Sequence, residues 1–199
     1  MALLDEKIII GLTGMSGAGK TTVSKVFFEN GFEVIDCDLL AREAVEPESF
    51  CLKEIVYEFG EDIVLADKSL NRKSLAKIVF SDQDRREKLS AIIFPYITYM
   101  VIEKMINSNS KYILLDAPTL YESGIDSICC KVLSVTADRA VALERIKSRD
   151  GISDEAAKKR LASQYDKSYY ISRSDFCIDN SFSIENTIEA AKSLIKELK

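Results

Sequence analysis

The run Gly14-Met-Ser-Gly-Ala-Gly-Lys20-Thr21 has the spacing G-x-x-x-x-G-K-[ST], and its residue types suit the binding of a phosphate chain. The glycines let backbone N–H groups turn inward onto phosphate oxygens, aided by the positive end of the helix that follows. Gly14, Ser16, Gly17, Ala18 and Gly19 form the cradle, with Thr22 just beyond it. Lys20 is expected to reach the β- and γ-phosphates of ATP, and Thr21 to offer its hydroxyl to Mg²⁺. A ligand-free Gly-rich turn is the plainer reading. The apolar strand before the loop and the helical pattern after it favour the phosphate site. Such loops serve GTPases, ATPases and kinases, and the absence of a guanine-reading Asn-Lys-x-Asp sequence disfavours the first.

The chain has no histidine, so acid–base chemistry falls to carboxylates, Lys, Tyr or Cys. Val34-Ile35-Asp36-Cys37-Asp38 reads as a strand ending in two acids at the sheet edge where open α/β folds bind ligands. Alternation along an extended strand end predicts that both face the phosphate loop. Asp38 is then the candidate to take a proton from an acceptor hydroxyl, and Asp36 to hold a Mg²⁺-bound water. The other role open to Asp38 is N-cap of the helix that follows. Tyr112-Ile-Leu-Leu-Asp116 ends in an acid after a buried strand, so Asp116 is a candidate for Mg²⁺ or acceptor contact, or a simple turn residue. Arg145 and Arg149 lie four apart on an expected helix over Asp138 to Arg149 and share a face. They could clamp a transferring phosphoryl group. They could equally be a solvated face paired with Glu144 and Asp150.

These residues need a frame. Ile-, Val- and Leu-rich runs at Lys7–Thr13, Phe32–Ile35, Lys111–Leu115, Lys131–Val135 and Asp175–Ile178 suit buried strands of a parallel sheet, with helical patterns between them. The class is α/β. Helices are expected over Thr22–Asn30, stopping at Gly31, and after Ser183, where Ile184, Ile188, Ala191, Ile195 and Leu198 repeat at helical spacing. A long helical region between the second and third strands, with Pro95 expected to kink or start a helix, forms a subdomain rather than a simple crossover. At 199 residues and 47% apolar content the chain suits one domain. The net charge of -5 argues against a general nucleic-acid or membrane-surface protein. From Asp138 to Arg173, however, nine Lys/Arg face six Asp/Glu, a basic stretch able to meet phosphates. No apolar stretch approaches the ~20 residues of a bilayer span, and a cytoplasmic location is expected. The five cysteines lack metal or disulfide spacing and are expected to be reduced and mostly buried.

Taken together, these pieces resemble the dephospho-coenzyme A kinase family from Ile8 to about Asn180. The likeness rests on Gly11 through Thr22, Gly31 to Asp38 with Ala41-Arg42, Leu70 to Ala76 with Ile78-Val-Phe80, and Leu89 to Pro95. Further on it rests on Asp116-Ala-Pro-Thr-Leu-Tyr-Glu122, Arg145 to Arg149, Arg160 with Gln164, and Asp175 to Asn180. The resemblance implies ATP-dependent phosphorylation of the ribose 3'-hydroxyl of dephospho-coenzyme A by a P-loop kinase fold. That fold has a five-stranded parallel sheet flanked by helices, a helical substrate-binding insertion and a lid. It makes Asp38 the preferred base, Arg145 and Arg149 lid residues and Asn180 a neighbour of adenine, and it places Arg72 in the insertion, as a contact to substrate phosphate or a member of a surface ion pair.

One kinase domain is expected, with a nucleotide-binding core over about 1–38, 111–137 and 174–199, an insertion over about 39–110 and a lid over about 138–173. The expected partner is the small-molecule substrate, with no nucleic acid and no membrane, in a monomer or weak homo-oligomer. Two departures from the family pattern bear on the acceptor: Phe94-Pro95 stands where the family usually has His-Pro, and Pro118-Thr119-Leu120 where it has Pro-Leu-Leu. The competing readings are a related P-loop kinase for another hydroxyl acceptor and a non-catalytic nucleotide sensor.

Overall fold

The structure is a computed structural model that describes residues 6–80 and 82–199. In chain order its main elements are β1 (Ile8–Gly14), α1 (Lys20–Glu29), β2 (Glu33–Asp36), α2 (Cys37–Glu43), α3 (Phe50–Phe59), α4 (Arg72–Phe80) and α5 (Gln83–Asn107). There follow β3 (Tyr112–Asp116), β4 (Lys131–Thr136), α6 (Arg139–Asp150), α7 (Asp154–Ala162), α8 (Lys167–Arg173), β5 (Phe176–Asp179) and α9 (Ile184–Leu198). The chain divides into two compact units, one built from the residues up to Ile35 with Asn109–Lys199, the other from Asp36–Ser108.

In the first unit the strands form one sheet in the order β2-β3-β1-β4-β5. β1 lies parallel to β3 on one side and β4 on the other, and β5 parallel to β4. The chain leaves β1 for one half of the sheet and later crosses to the other half, so the end of β1 is the switch point where open α/β sheets bind ligands. β1 and β3 are apolar through their centres because both faces are covered. Ile10, Leu12, Leu114, Leu133 and Val135 pack with Val23, Val26 and Phe27 of α1 and Ala191, Leu194 and Ile195 of α9. α1 ends where Gly31 takes φ +83, with the Phe32 N–H closing on the Phe27 carbonyl at 3.1 Å. The Ser183 side chain accepts from Asn186 N–H and so starts α9 where the sequence pattern puts it.

The second unit is helical, around Ala44, Val45, Cys51, Ile55, Ile63 and Leu75, with Leu89, Ile92, Ile93, Tyr96 and Met100 of α5 packed against them. Pro95 does not start a helix; it lies inside the 25-residue α5. Pro95 and Ala91 are both exposed, so the carbonyl that loses its helical N–H donor there is on the solvent side. The absence of a membrane-length apolar stretch also needs correction, because α5 is long and apolar enough by length and composition to cross a membrane. Ile97, Val101 and Met105 nevertheless turn inward as the buried stripe of a helix packed on α2, α3 and α4. All five cysteines are free, and only Cys37 and Cys51 are buried; Cys130 and Cys177 are exposed.

Candidate functional site

The loop after β1 is shaped by what touches it. Gly14 pairs with Val135 of β4 and takes φ +138, and a Cβ there would run into the Val135 carbonyl oxygen. Gly19, at φ +95, is equally confined, since a Cβ would strike the Asn180 amide nitrogen. Gly17 packs against the backbone of Ala142 in α6. The Lys20 ammonium folds back over the loop and donates to the Gly14 carbonyl at 2.8 Å, which keeps it at the loop mouth. Thr21 is exposed in the first turn of α1.

Asn180 fastens the loop from behind. Its amide Nδ2 donates to the Ala18 carbonyl at 2.7 Å, while its Oδ1 accepts from the Thr187 hydroxyl of α9 at 2.6 Å. Both side chains are buried, so each polar atom needs this partner. Arg145 Nη1 then donates to the Asn180 carbonyl at 2.9 Å. Arg145 therefore does not pair with Glu144; Lys147 does, at 2.9 Å. Arg149 pairs with Asp150, Nε to Oδ1 at 2.7 Å and Nη2 to Oδ2 at 3.0 Å, and Arg160 of α7 reaches the same Oδ2 at 2.7 Å. The hydrogen bonds from Arg149, with the charge of Arg160 beside them, hold the Asp150 carboxyl below the usual carboxylate range. One carboxylate thus holds two guanidinium groups from consecutive helices. Between α7 and α8, the Gln164 side-chain carbonyl accepts from the Ser16 N–H of the loop at 2.8 Å.

Asp116 ends β3 in register with Leu12, which puts its carboxylate at the sheet edge where β1 runs into the loop. The Ala117 N–H donates to the Leu12 carbonyl at 3.0 Å and holds that turn in place. Thr21 and Asp116 offer oxygen donors, which suit Mg²⁺: it takes one or two protein oxygens together with phosphate oxygens and water. Among the described residues no group of three or more His, Cys, Asp or Glu gathers as a metal cage.

The other acids belong to the second unit, and there the expected alternation fails. β2 stops at Asp36 and α2 begins at Cys37, so Asp38 is on a helix rather than an extended strand end. The backbone turns from strand into helix between the two acids, so the alternation of an extended strand end does not carry from Asp36 to Asp38. Asp36 is the N-cap, accepting from Leu39 N–H at 3.0 Å, and Asp38 is in the first turn, where a negative charge favours the helix. The capping role open to Asp38 is therefore filled by Asp36. Arg72 is exposed as the first residue of α4.

The dephospho-CoA kinase profile matches residues 8–186. The chain belongs to the dephospho-CoA kinase family. A dephospho-CoA kinase of Pseudoalteromonas translucida is 38% identical over 176 residues, which are 88% of this chain and 84% of that one. A Thermus thermophilus crystal structure superposes with a TM-score of 0.84 at 30% identity, over 97% of this chain and 98% of the other. The dephospho-CoA kinase from Campylobacter jejuni superposes with a TM-score of 0.63 at 26% identity, over 98% of each chain. Membership of the dephospho-CoA kinase family makes the chain an ATP-dependent transferase acting on a small molecule in coenzyme A biosynthesis, and the sensor reading falls. Resemblance alone had pointed to Arg160 and Gln164; no local pattern singles them out, and nothing in the sequence marks Thr187.

Proposed function

We propose that this chain transfers the γ-phosphoryl group of ATP to the ribose 3'-hydroxyl of dephospho-CoA, with the loop from Gly14 to Thr21 holding the donor and Asp38 taking the proton from the acceptor. The observation that carries this is the preformed loop at the switch point of the sheet, with Lys20 over its mouth, in a chain of this family. The amides from Ser16 to Thr22 cradle the triphosphate, and Lys20 draws charge from the β- and γ-phosphates. Mg²⁺, when bound by Thr21 with Asp116 or a water on Asp36, neutralises phosphate charge. Arg149 is the arginine best suited to the moving phosphoryl group. Arg145, with one nitrogen on the Asn180 carbonyl, has further donors for it and stiffens the loop support. Asn180 lies behind the loop, beside adenine. Residues of about 39–110 take the acceptor, with Arg72 on a phosphate of dephospho-CoA, and those of about 138–173 close as a lid that excludes water. A cytoplasmic monomer or weak homo-oligomer fits a biosynthetic kinase of this size.

Phe94, half-buried on α5 where a polar residue is usual in the family, favours keeping a second acceptor in view. Incubation with Mg²⁺-ATP and a panel of nucleotide and sugar hydroxyl acceptors, read by product mass, tests both. Coenzyme A is expected from dephospho-CoA; phosphorylation of another acceptor in its place overturns the assignment. Asp38→Asn is expected to lower kcat about 10²- to 10⁴-fold while ATP binding persists. Unchanged turnover would remove Asp38 from the role of base.

A further inference from the structure

Among the loop amides, Ser16 N–H already has an acceptor: the Gln164 Oε1 at 2.8 Å, from a residue 148 positions away in the chain. A loop shaped to aim N–H groups at phosphate oxygens is here meeting a side-chain carbonyl. Gln164 follows the last turn of α7, where its own N–H closes on the Leu161 carbonyl at 3.4 Å. Tyr165, next in the chain, stacks on Tyr169 of α8 with ring centroids 3.7 Å apart. The Gln164 backbone is thus fixed on both sides, and its exposed side chain is the part free to change partner.

We propose that Gln164 is a placeholder for a phosphoryl oxygen: its amide carbonyl satisfies Ser16 N–H in the empty loop and is displaced by the β,γ-phosphates of the bound nucleotide. This rests on the loop being the triphosphate site. The exchange is favourable because a hydrogen bond to an anionic oxygen is roughly twice as strong as one to a neutral amide. The Gln164 bond therefore opposes nucleotide binding without preventing it. On release, the Gln164 side chain turns to solvent, and the Ser16 N–H is left to the phosphate alone. Gln164 is in this sense a positioning residue that acts through the loop amide and sets nucleotide affinity.

The prediction has a sign that a merely structural role does not give. Gln164→Ala removes the competitor, so the full-length protein should bind a non-hydrolysable ATP analogue about two- to tenfold more tightly. Gln164→Glu puts a charged acceptor on the same N–H and a like charge beside the phosphates, so binding should weaken about tenfold or more. AMP, which lacks the β- and γ-phosphates, should bind all three proteins alike. Titration calorimetry on the wild type and both variants reads these constants directly. Weaker or unchanged analogue binding by Gln164→Ala overturns the placeholder role. If the wild type binds AMP and the analogue equally poorly, the loop is not the triphosphate site, and the reading beneath the proposal fails with it.

Discussion

The phosphate loop and the segment α6 to α8 meet at Ser16 and Gln164, yet their polar contacts differ in kind. The loop is fixed by sterics and buried polar pairs: Gly14 against Val135, Gly19 against Asn180, and Asn180 between Ala18 and Thr187. The segment α6 to α8 is anchored in the core by Ala142, Ile146, Ala157, Leu161 and Tyr170, but many of its polar contacts are exposed: Arg149 and Arg160 on Asp150, Lys147 between Glu144 and Asp154, and Gln164 on Ser16. Buried pairs are costly to leave unmade, whereas exposed ion pairs contribute little and exchange readily with water or a ligand. The lesson is a division of labour. The loop is preorganised by buried, sterically fixed contacts, while Arg149, Arg160 and Gln164 rest on exposed polar contacts of the kind that water or a ligand exchanges.

The sharpest way to break that contrast is at Gly14. Gly14→Ala sets a Cβ against the Val135 carbonyl at a backbone conformation that L side chains rarely adopt, and neither wall can move without disturbing the sheet. The expected result is destabilisation of more than about 3 kcal/mol in denaturant unfolding, with loss of nucleotide binding in whatever folded protein remains. A variant with normal melting and normal ATP affinity would show that the loop is not rigidly built. Asn180→Ala probes the same side less severely. It leaves the Ala18 carbonyl and the Thr187 hydroxyl without their buried partner, at about 1–3 kcal/mol, read as a Tm drop of several degrees with weakened ATP binding. Thr187→Val, which removes one hydroxyl of the network and keeps its shape, should fall between Asn180→Ala and the wild type.

What could be read beforehand follows the same division. The strands lie within a residue or two of the apolar runs, because a strand buried on both faces leaves a continuous Ile/Val/Leu signature. The loop is legible because its spacing is local and its glycines are demanded by geometry. The acids of Val34–Asp38 were misread, since nothing in the pattern shows that a helix begins at Cys37 with no extended residue between. Of the two readings of Pro95, the helix start fails and the place inside a helix holds, since a helix can run through a proline where the freed carbonyl is exposed. The Gln164–Ser16 bond and the Asn180–Thr187 pair escape sequence reading because they join ordinary polar residues on different elements. Tertiary packing chose them, and neither residue type nor spacing announces it.

The smallest expected effect is at Glu122, an exposed residue whose carboxyl is partly shielded from water near the tyrosines of α8. Partial desolvation raises its carboxyl pKa; burial raises that of Tyr170 to about 12, with the nearby Glu122 charge adding to it. A carboxyl whose folded pKa lies above its unfolded value holds its proton more tightly in the folded state. Its contribution is therefore most favourable below the unfolded pKa, near 4, and is lost as pH rises through the raised folded value. At pH 7 the charged Glu122 is a mild burden on the fold. Glu122→Gln should then stabilise the protein at pH 7 by less than about 1 kcal/mol, since the group is only partly enclosed and solvent screens it. The gain should shrink toward zero below pH 4, and urea unfolding of both proteins between pH 4 and 8 measures the difference. A destabilised Glu122→Gln at pH 7 would mean that the carboxylate has a cationic partner beside α8, and that the segment α6 to α8 draws more from charge pairing than its exposed contacts suggest.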